Sequence, residues 1–166
     1  MINCSKLLSQ KTGELSHLHY TGTTKKAPVI VWNLAGECNL SCRHCYAGNG
    51  LQKENGFIPT DIAKSFIDDI ATMGIPALLF SGGEPLLRDD IFDLGYYASK
   101  KGIYTALSTN GTLITEETTK MIKDAGFRYV GISLDGLEDT HDDFRLSRGS
   151  FNLSMKGLVN CLNRGI

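Results

Sequence analysis

Three cysteines lie within eight residues of one another, in the order Cys38, Cys42 and Cys45, with the spacing C-x3-C-x2-C. Thiolates this close can wrap one metal centre, because the loop can curl with all three sulfurs pointing inward. A structural zinc site normally takes four protein ligands. A [4Fe–4S] cluster held by three cysteines leaves one iron open for a substrate or cofactor. The spacing therefore favours an iron–sulfur cluster with an open iron.

Other uses of these cysteines stay open on the sequence alone. His44 is a poor fourth ligand for zinc, because adjacent residues such as His44 and Cys45 would struggle to share one tetrahedron. Cys4 could complete a four-thiolate site from the N-terminal region, which would make a non-catalytic structural zinc or Fe–S module. A simple electron carrier ranks last, since it leaves the remaining motifs unexplained.

Polar or glycine-rich stretches follow three later apolar runs. They are residues 81–85 (SGGEP), 108–111 (STNG) and 133–136 (SLDG). Two glycines let a backbone approach a ligand closely, and the Glu84 carboxylate can accept hydrogen bonds from an ammonium group. Each stretch alone is an ordinary turn. Together, at the carboxyl ends of strands, they are typical of ligand binding in α/β sheets and barrels.

The elements that must position these residues follow an alternating pattern. Short apolar runs, rich in β-branched and aromatic residues, predict buried parallel strands at residues 29–34, 77–80, 105–107 and 129–134. Stretches with helical periodicity begin at Thr60, near Asp89, at Thr115 and near Ser150. Thr60 is predicted to cap its helix. Four βα units in a row predict an α/β fold with a parallel sheet and right-handed crossovers.

The first and last helices are each expected to bury one apolar face. The predicted faces are Ile62, Phe66, Ile67, Ile70 and Met73 in the first helix, and Phe151, Met155, Leu158, Val159 and Leu162 in the last. Trp32, in the first strand, is assigned to the core.

A glycine followed by a large apolar residue ends each predicted helix. These glycines are Gly74, Gly102, Gly126 and Gly165, which suit the left-handed position after a helix. The fourth pair forms the last two residues, and by the same pattern it predicts a fifth strand to follow. We expect a fragment of a longer (β/α) protein, with residues 1–28 as an N-terminal extension and 29–166 as the core domain.

Composition excludes several function classes. The 166 residues carry 17 Lys and Arg against 18 Asp and Glu, a net charge of −1, which gives no electrostatic reason to expect nucleic acid or an anionic membrane as partner. The N-terminus lacks the features of a signal peptide, and no apolar run approaches a membrane span. We expect a cytoplasmic protein. Five cysteines are an odd count for disulfides, which points to metal or redox chemistry.

In combination, the cysteine motif and the GGEP, STNG and SLDG stretches resemble the radical S-adenosylmethionine (radical SAM) superfamily over about residues 28–166. The resemblance implies a partial TIM-like barrel with about four βα units present. It also implies a [4Fe–4S] cluster on Cys38, Cys42 and Cys45, whose open iron is chelated by S-adenosylmethionine. The cluster then cleaves this cofactor reductively to a 5′-deoxyadenosyl radical, which abstracts hydrogen from the substrate.

The resemblance also assigns cofactor-binding roles to particular residues. Gly82, Gly83 and Glu84 would meet the methionyl ammonium, while Ser108, Asn110 and Ser133 would face the ribose or methionyl region. Tyr46, like His44, flanks the last cysteine, where the family often places an aromatic near the adenine. Arg145 would bind the cofactor carboxylate; otherwise it is expected to form a surface ion pair with Asp142 or Asp143. Asp135 could fix the loop that follows it.

The branch most similar in motif trims side chains of siroheme-derived tetrapyrroles in alternative heme and heme d1 biosynthesis. Enzymes that modify peptides or cofactor precursors carry similar motifs and form the alternative. The resemblance implies a small-molecule substrate such as a tetrapyrrole, or a peptide, and an electron donor such as ferredoxin or flavodoxin. No residue is assigned a catalytic role beyond cofactor binding.

Overall fold

The computed structural model describes residues 28–45 and 57–166. In these ranges four parallel strands form one sheet in the order β1-β2-β3-β4. The strands are β1 (Ile30–Ala35), β2 (Ala77–Gly82), β3 (Tyr104–Thr109) and β4 (Tyr129–Ile132). Each strand pairs with the next along the chain, so all four carboxyl ends lie at one edge of the sheet. The predicted α/β fold is confirmed.

Helices separate the strands and follow the last one. They are α1 (Thr60–Thr72), α2 (Ile91–Lys100), α3 (Glu116–Asp124), α4 (Glu138–Arg145) and α5 (Ser150–Asn163), with a short 3-10 turn at Pro85–Leu87. Ile67, Ile91 and Ile122, one from each of the first three helices, are fully buried. They belong to the same core as Leu78 and Phe80 from β2. Apolar burial on this helix-covered side fixes the sheet.

Two predictions about helix starts have different outcomes. Thr115 caps α3 as its side chain accepts a hydrogen bond from the Thr118 amide at 3.1 Å. Thr60 is not a cap: Pro59 occupies the cap position without a side-chain bond, and the Thr60 hydroxyl donates to Asp90 instead. The predicted glycine endings are confirmed, since Gly74, Gly102, Gly126 and Gly165 all have positive φ.

The apolar faces of α1 and α5 differ from their predictions. In α1, Ile67 and Ile70 are buried, but Ile62 and Met73 are exposed. In α5 the buried residues are small: Ser150, Ser154, Gly157 and Cys161. Val159 and Leu162, predicted to be buried, are exposed. Trp32 is partly buried and packs on Phe66 and Phe80, as expected of a core residue.

A close approach explains the small buried face of α5. A Cβ on Gly157 would lie 2.5 Å from the carbonyl oxygen of Gly111. The Ser154 hydroxyl donates to the carbonyl of Asn110 at 2.7 Å. The helix therefore lies directly against the turn that follows β3, where larger side chains would not fit.

The sequence reasoning missed α4. Its residues EDTHDDFR are almost entirely polar and show no apolar period, so the usual signal for a helix is weak. Among the described residues, none of the helices is both long enough and apolar enough to cross a bilayer.

Candidate cofactor site

One cavity of ≈260 Å³ lies at the carboxyl ends of the strands. It is lined by residues that the sequence motifs singled out, together with their neighbours: Cys38, Leu40, Cys42, His44, Cys45, Ser81, Gly82, Gly83, Ser108, Thr109, Asn110, Ser133, Asp135 and Arg145. Sheet topology accounts for this grouping, because the ends of adjacent parallel strands meet at one edge. Four chain segments far apart in sequence thus contribute to one site.

The cysteine loop has a donor set suited to an iron–sulfur cluster. Cys38, Cys42 and Cys45 are free thiols, each partly exposed, and all three line the cavity. Within residues 28–45 and 57–166, no three His, Cys, Asp or Glu side chains converge closely enough to ligate a single metal ion. Three thiols that line one space suit a cluster, because each cysteine of a cluster ligates a different iron.

Polar hydrogens point at two of the sulfurs. The backbone amide of Leu40 lies 3.4 Å from Cys38 Sγ, and Arg145 Nη1 lies 3.6 Å from Cys42 Sγ. Burial raises the pKa of the Cys38 thiol above its ordinary value, with Glu84 and Cys42 adding smaller effects in the same direction. Cys38 without metal is thus held as a thiol at neutral pH, and ligation would release its proton.

Helix α4 ties down the far side of the cysteine loop. The Arg43 amide donates to the carbonyl of Phe144 at 2.8 Å. The Arg43 side chain pairs with Asp143 at 2.7 Å, and the His44 ring lies 5.6 Å from the ring of Phe144. These contacts were absent from the sequence predictions, since they join segments about a hundred residues apart. They position the loop between β1 and the end of α4.

The glycines of the GGEP stretch are required by the chain itself. A Cβ on Gly82 would lie 2.5 Å from the Ala35 carbonyl oxygen, and one on Gly83 would lie 2.1 Å from that of Glu37. The Gly83 amide donates to Ala35 O at 2.7 Å, and the Glu84 amide donates to Glu37 O at 2.8 Å. The missing side chains thus let the segment after β1 cross the end of β2. Both glycines also line the cavity, where they were predicted to lie.

Glu84 turns away from the cavity. It is fully buried; its Oε1 accepts from the Thr109 hydroxyl at 2.8 Å and the Leu86 amide at 3.1 Å, and its Oε2 accepts from the Asn110 amide at 2.8 Å. Burial raises the pKa of this carboxyl, while the three donors act in the opposite direction. The expected contact with an ammonium group is therefore replaced by an internal one: Glu84 joins the ends of β2 and β3.

Arg145 is buried, and its partner is one the sequence reasoning did not name. Its Nε donates to Asp135 Oδ2 at 2.5 Å, and its Nη2 lies 3.4 Å from the carbonyl oxygen of Ser133. The expectation of a surface pair with Asp142 or Asp143 was wrong, because α4 turns Arg145 inward. Asp135 thereby fixes the segment after β4, as the sequence suggested, and also lies 3.6 Å from His44 Nε2.

The remaining predicted residues fall into three groups. Ser108 and Ser133 line the cavity, and their expected contact with the ribose or methionyl region stays a prediction. Asn110 also lines it but is 7% exposed, with its side chain hydrogen-bonded to Asn39 and Thr112. Tyr46, Cys4 and the N-terminal extension up to residue 27 lie outside the described residues. Thr109, which the sequence did not assign, could have been found from its place at the end of β3.

A hollow of ≈610 Å³ beside α4 and α5 is larger than this cavity, but its lining offers fewer groups that could bind a cofactor. Its lining consists of Glu138, Asp139, Asp142, Asp143, Leu146, Ser147, Arg148 and Gly149. Asp142 is fully engaged there, accepting from the Gly149 amide, the Ser150 hydroxyl and the Phe151 amide. These bonds hold the pKa of Asp142 below its ordinary value, with the Phe151 amide contributing most. This carboxylate holds the start of α5 in place.

Comparison with known sequences gives a consistent result. The sequence model of the Radical SAM superfamily matches residues 32–166. Fe-coproporphyrin III synthase of Methanosarcina barkeri is 47% identical over 91% of this chain, and pre-heme d1 synthase of Dinoroseobacter shibae is 42% identical over 87%. The mycofactocin maturase of Mycolicibacterium smegmatis is 33% identical over 84%. The chain spans 38%, 35% and 36% of these three relatives.

Solved structures agree on the fold. Native anSMEcpe with bound AdoMet superposes with a TM-score of 0.69 at 24% identity, covering 82% of this chain and 40% of that one. Streptococcus suis SuiB bound to S-adenosylmethionine superposes with a TM-score of 0.61, covering 74% of this chain and 28% of that one. The family match covers most of the chain, and the tetrapyrrole branch anticipated from the motifs is represented among the relatives. The chain belongs to the radical SAM superfamily, whose enzymes use a [4Fe–4S] cluster and S-adenosylmethionine.

Proposed function

We propose that this chain is the cofactor-binding part of a radical SAM enzyme that modifies a side chain of a tetrapyrrole. One observation carries the proposal: a single cavity gathers Cys38, Cys42 and Cys45 with the ends of β2, β3 and β4. A closed structural metal site would have no need of the polar ends of three further strands. An open cluster that shares its site with a second cofactor would use them.

In this proposal Cys38, Cys42 and Cys45 would hold the cluster, which would leave one iron without a protein ligand. When both cofactors are bound, the cluster supplies the electron that cleaves S-adenosylmethionine and so provides a hydrogen-abstracting radical. The protein holds the reacting groups in place and keeps water away from them.

The contacts to S-adenosylmethionine are assigned by position in the cavity. The turn of Gly82 and Gly83 receives the methionyl ammonium, and Glu84 acts indirectly by fixing that turn. Ser108 and Ser133 face the ribose. Arg145 offers its Nη1, which faces Cys42, to the cofactor carboxylate. Two further contacts stay as predicted from the resemblance: Asn110 at the ribose or methionyl region, and Tyr46 near the adenine.

The substrate assignment rests on the relatives. Those named as synthases of heme, pre-heme d1 and Fe-coproporphyrin III are 39–47% identical to this chain, against 33% for the mycofactocin maturases. Because the chain spans less than two fifths of these proteins, the activity belongs to a protein of their full length. We place this protein in the cytoplasm, where ferredoxin or flavodoxin supplies electrons. Neither nucleic acid nor a membrane is proposed as its partner.

The first test is electron paramagnetic resonance of the chain after anaerobic reconstitution with iron and sulfide. We expect the dithionite-reduced protein to give a [4Fe–4S] signal that shifts when S-adenosylmethionine is added. Cys42→Ala should abolish the signal, because three cysteines are the minimum for this cluster. Cys161→Ala is the matched control: this thiol is buried outside the cavity, its pKa raised to about 11 by burial, and its loss should leave the signal unchanged.

Two results would contradict the proposal. A cluster signal indifferent to S-adenosylmethionine would mean that the cluster has no open iron available to the cofactor. Loss of metal in Cys4→Ala would indicate a four-thiolate structural site, the alternative that the sequence left open.

Peptide modification is the second candidate, since a mycofactocin maturase matches over 84% of this chain. The two candidates differ in the substrate that consumes the cofactor. With the full-length protein, we expect cleavage of S-adenosylmethionine to be stimulated by a siroheme-derived tetrapyrrole and not by a peptide. Stimulation by a peptide alone would reverse this order.

A further inference from the structure

Three side chains beside the cavity form a closed ring of hydrogen bonds. Asn39 Nδ2 donates to Thr112 Oγ1 at 2.9 Å, the Thr112 hydroxyl donates to Asn110 Oδ1 at 2.7 Å, and Asn110 Nδ2 donates to Asn39 Oδ1 at 2.8 Å. Every member both donates and accepts. Bonds arranged in this way polarise and strengthen one another.

The ring joins two segments that are distant in sequence. Asn39 directly follows Cys38, while Asn110 and Thr112 lie just beyond β3, more than seventy residues later. The Thr112 amide also donates to Asn110 Oδ1 at 2.9 Å, which holds Thr112 in its place in the ring. The ring therefore ties the start of the cysteine loop to the neighbouring strand end.

Asn110 is itself rigidly held. Its amide donates to buried Glu84 at 2.8 Å, and its carbonyl accepts from the Ser154 hydroxyl at 2.7 Å. Asn110 Nδ2 lies 3.9 Å from Cys38 Sγ, a sulfur that the Leu40 amide already approaches to 3.4 Å. The ring thus fixes the direction of the Asn110 Nδ2 group toward this sulfur, through a residue anchored in the core.

We propose that the ring of Asn39, Asn110 and Thr112 is a clamp that positions Cys38 and its N–H partners, and so sets the reduction potential and the retention of the cluster. The inference rests on the proposed ligand set. Hydrogen bonds to ligand sulfurs stabilise the more negative, reduced cluster and raise its potential, and residues that orient ligands strengthen metal binding. Loosening the clamp weakens both effects. Thr112 is a positioning residue, since it does not line the cavity.

Thr112→Val tests the clamp by removing the hydroxyl while keeping the shape of the side chain. In the reconstituted chain, we expect a more negative midpoint potential in a titration followed by electron paramagnetic resonance. We also expect about tenfold faster loss of the cluster to a chelator, followed by visible absorbance. Thr112→Ser restores the hydroxyl and should return both values to those of the wild type.

Asn39→Ala provides a second variant at an exposed position, where folding tolerates the change. It should shift the potential in the same direction as Thr112→Val, and Thr72→Val on α1 should shift nothing. Wild-type potential and retention in both ring variants would overturn the clamp while leaving the cysteine ligands in place. Failure of the wild type to assemble any cluster would overturn the ligand set and the clamp together.

Discussion

At the scale of single residues, two Arg–Asp ion pairs beside the cavity differ strongly in burial. The Arg145 side chain, 9% exposed, pairs with Asp135, whereas Arg43 and Asp143 are each more than half exposed. A buried cation that loses its counter-charge is costly, while an exposed pair contributes little. We expect Asp135→Asn to lower the free energy of unfolding by about 2 kcal/mol.

Asp143→Asn makes the same chemical change in the exposed pair and serves as the control. Urea denaturation of both variants measures the difference, and we expect Asp143→Asn to stay close to the wild type. Equal losses in the two variants would show that burial of Arg145 does not decide the energy of its pair.

We expect His141 to make the stability of the protein depend on pH. The residue is buried, with Nδ1 accepting from the Asp135 amide at 3.3 Å. Burial lowers the pKa of His141 below 6.5, with the Arg145 charge acting in the same direction and Asp135 and Asp142 opposing it. The unfolded chain therefore binds a proton near pH 6.5 while the folded chain does not. The free energy of unfolding therefore decreases as the pH falls below 6.5 toward the pKa of His141 in the folded protein.

His141→Gln removes this titration. Free energies of unfolding measured from about pH 5 to 8 should fall on acidification in the wild type and fall less in the variant. A wild-type slope that survives in His141→Gln would assign the dependence to another group.

At the scale of elements, α5 is held close to the turn after β3 by its small residues. Alanine is more favourable than glycine in a helix by about 1 kcal/mol, so propensity alone favours Gly157→Ala. The added Cβ would lie 2.5 Å from Gly111 O and 3.0 Å from Ile114 Cβ, and overpacking of this kind costs about 1–3 kcal/mol. We expect packing to win and the variant to be less stable by about 1 kcal/mol.

Thermal denaturation measures this effect. Lys156→Ala, one residue earlier on an exposed face of the same helix, is the control and should melt like the wild type. Stabilisation by Gly157→Ala would mean that the helix can move away from the turn without cost.

The sequence allowed prediction of those elements whose signals are local. Short apolar runs between the helical stretches indicated all four strands, and glycines in left-handed conformation marked the helix ends. Helix α4 has no apolar period, so only its contacts in the folded protein define it. Because the helix was not predicted, the inward orientation of Arg145 was not predicted either. The buried face of α5 was also missed, because small residues form it where the helix lies against the turn after β3, and the sequence alone does not show that approach.

The candidate site shows the same division between local and tertiary signals. The cysteines and the strand-end motifs were found because their residue types and spacing carry the chemistry. The internal role of Glu84 was missed, since a carboxylate beside two glycines suggests a ligand contact, and only the pairing of β2 with β3 brings Thr109 and Asn110 to its oxygens. The assignment of each residue to a cofactor atom stays a prediction.

At the scale of the whole molecule, the sheet follows chain order, with each strand beside its predecessor. The cysteine loop breaks this sequence. It is made directly after β1, but its tethers arrive much later, at Asn110 and at Asp143, the latter 100 residues beyond Arg43. The loop that would hold the cluster is thus translated early, whereas the residues that tether it follow about 70 and 100 residues later.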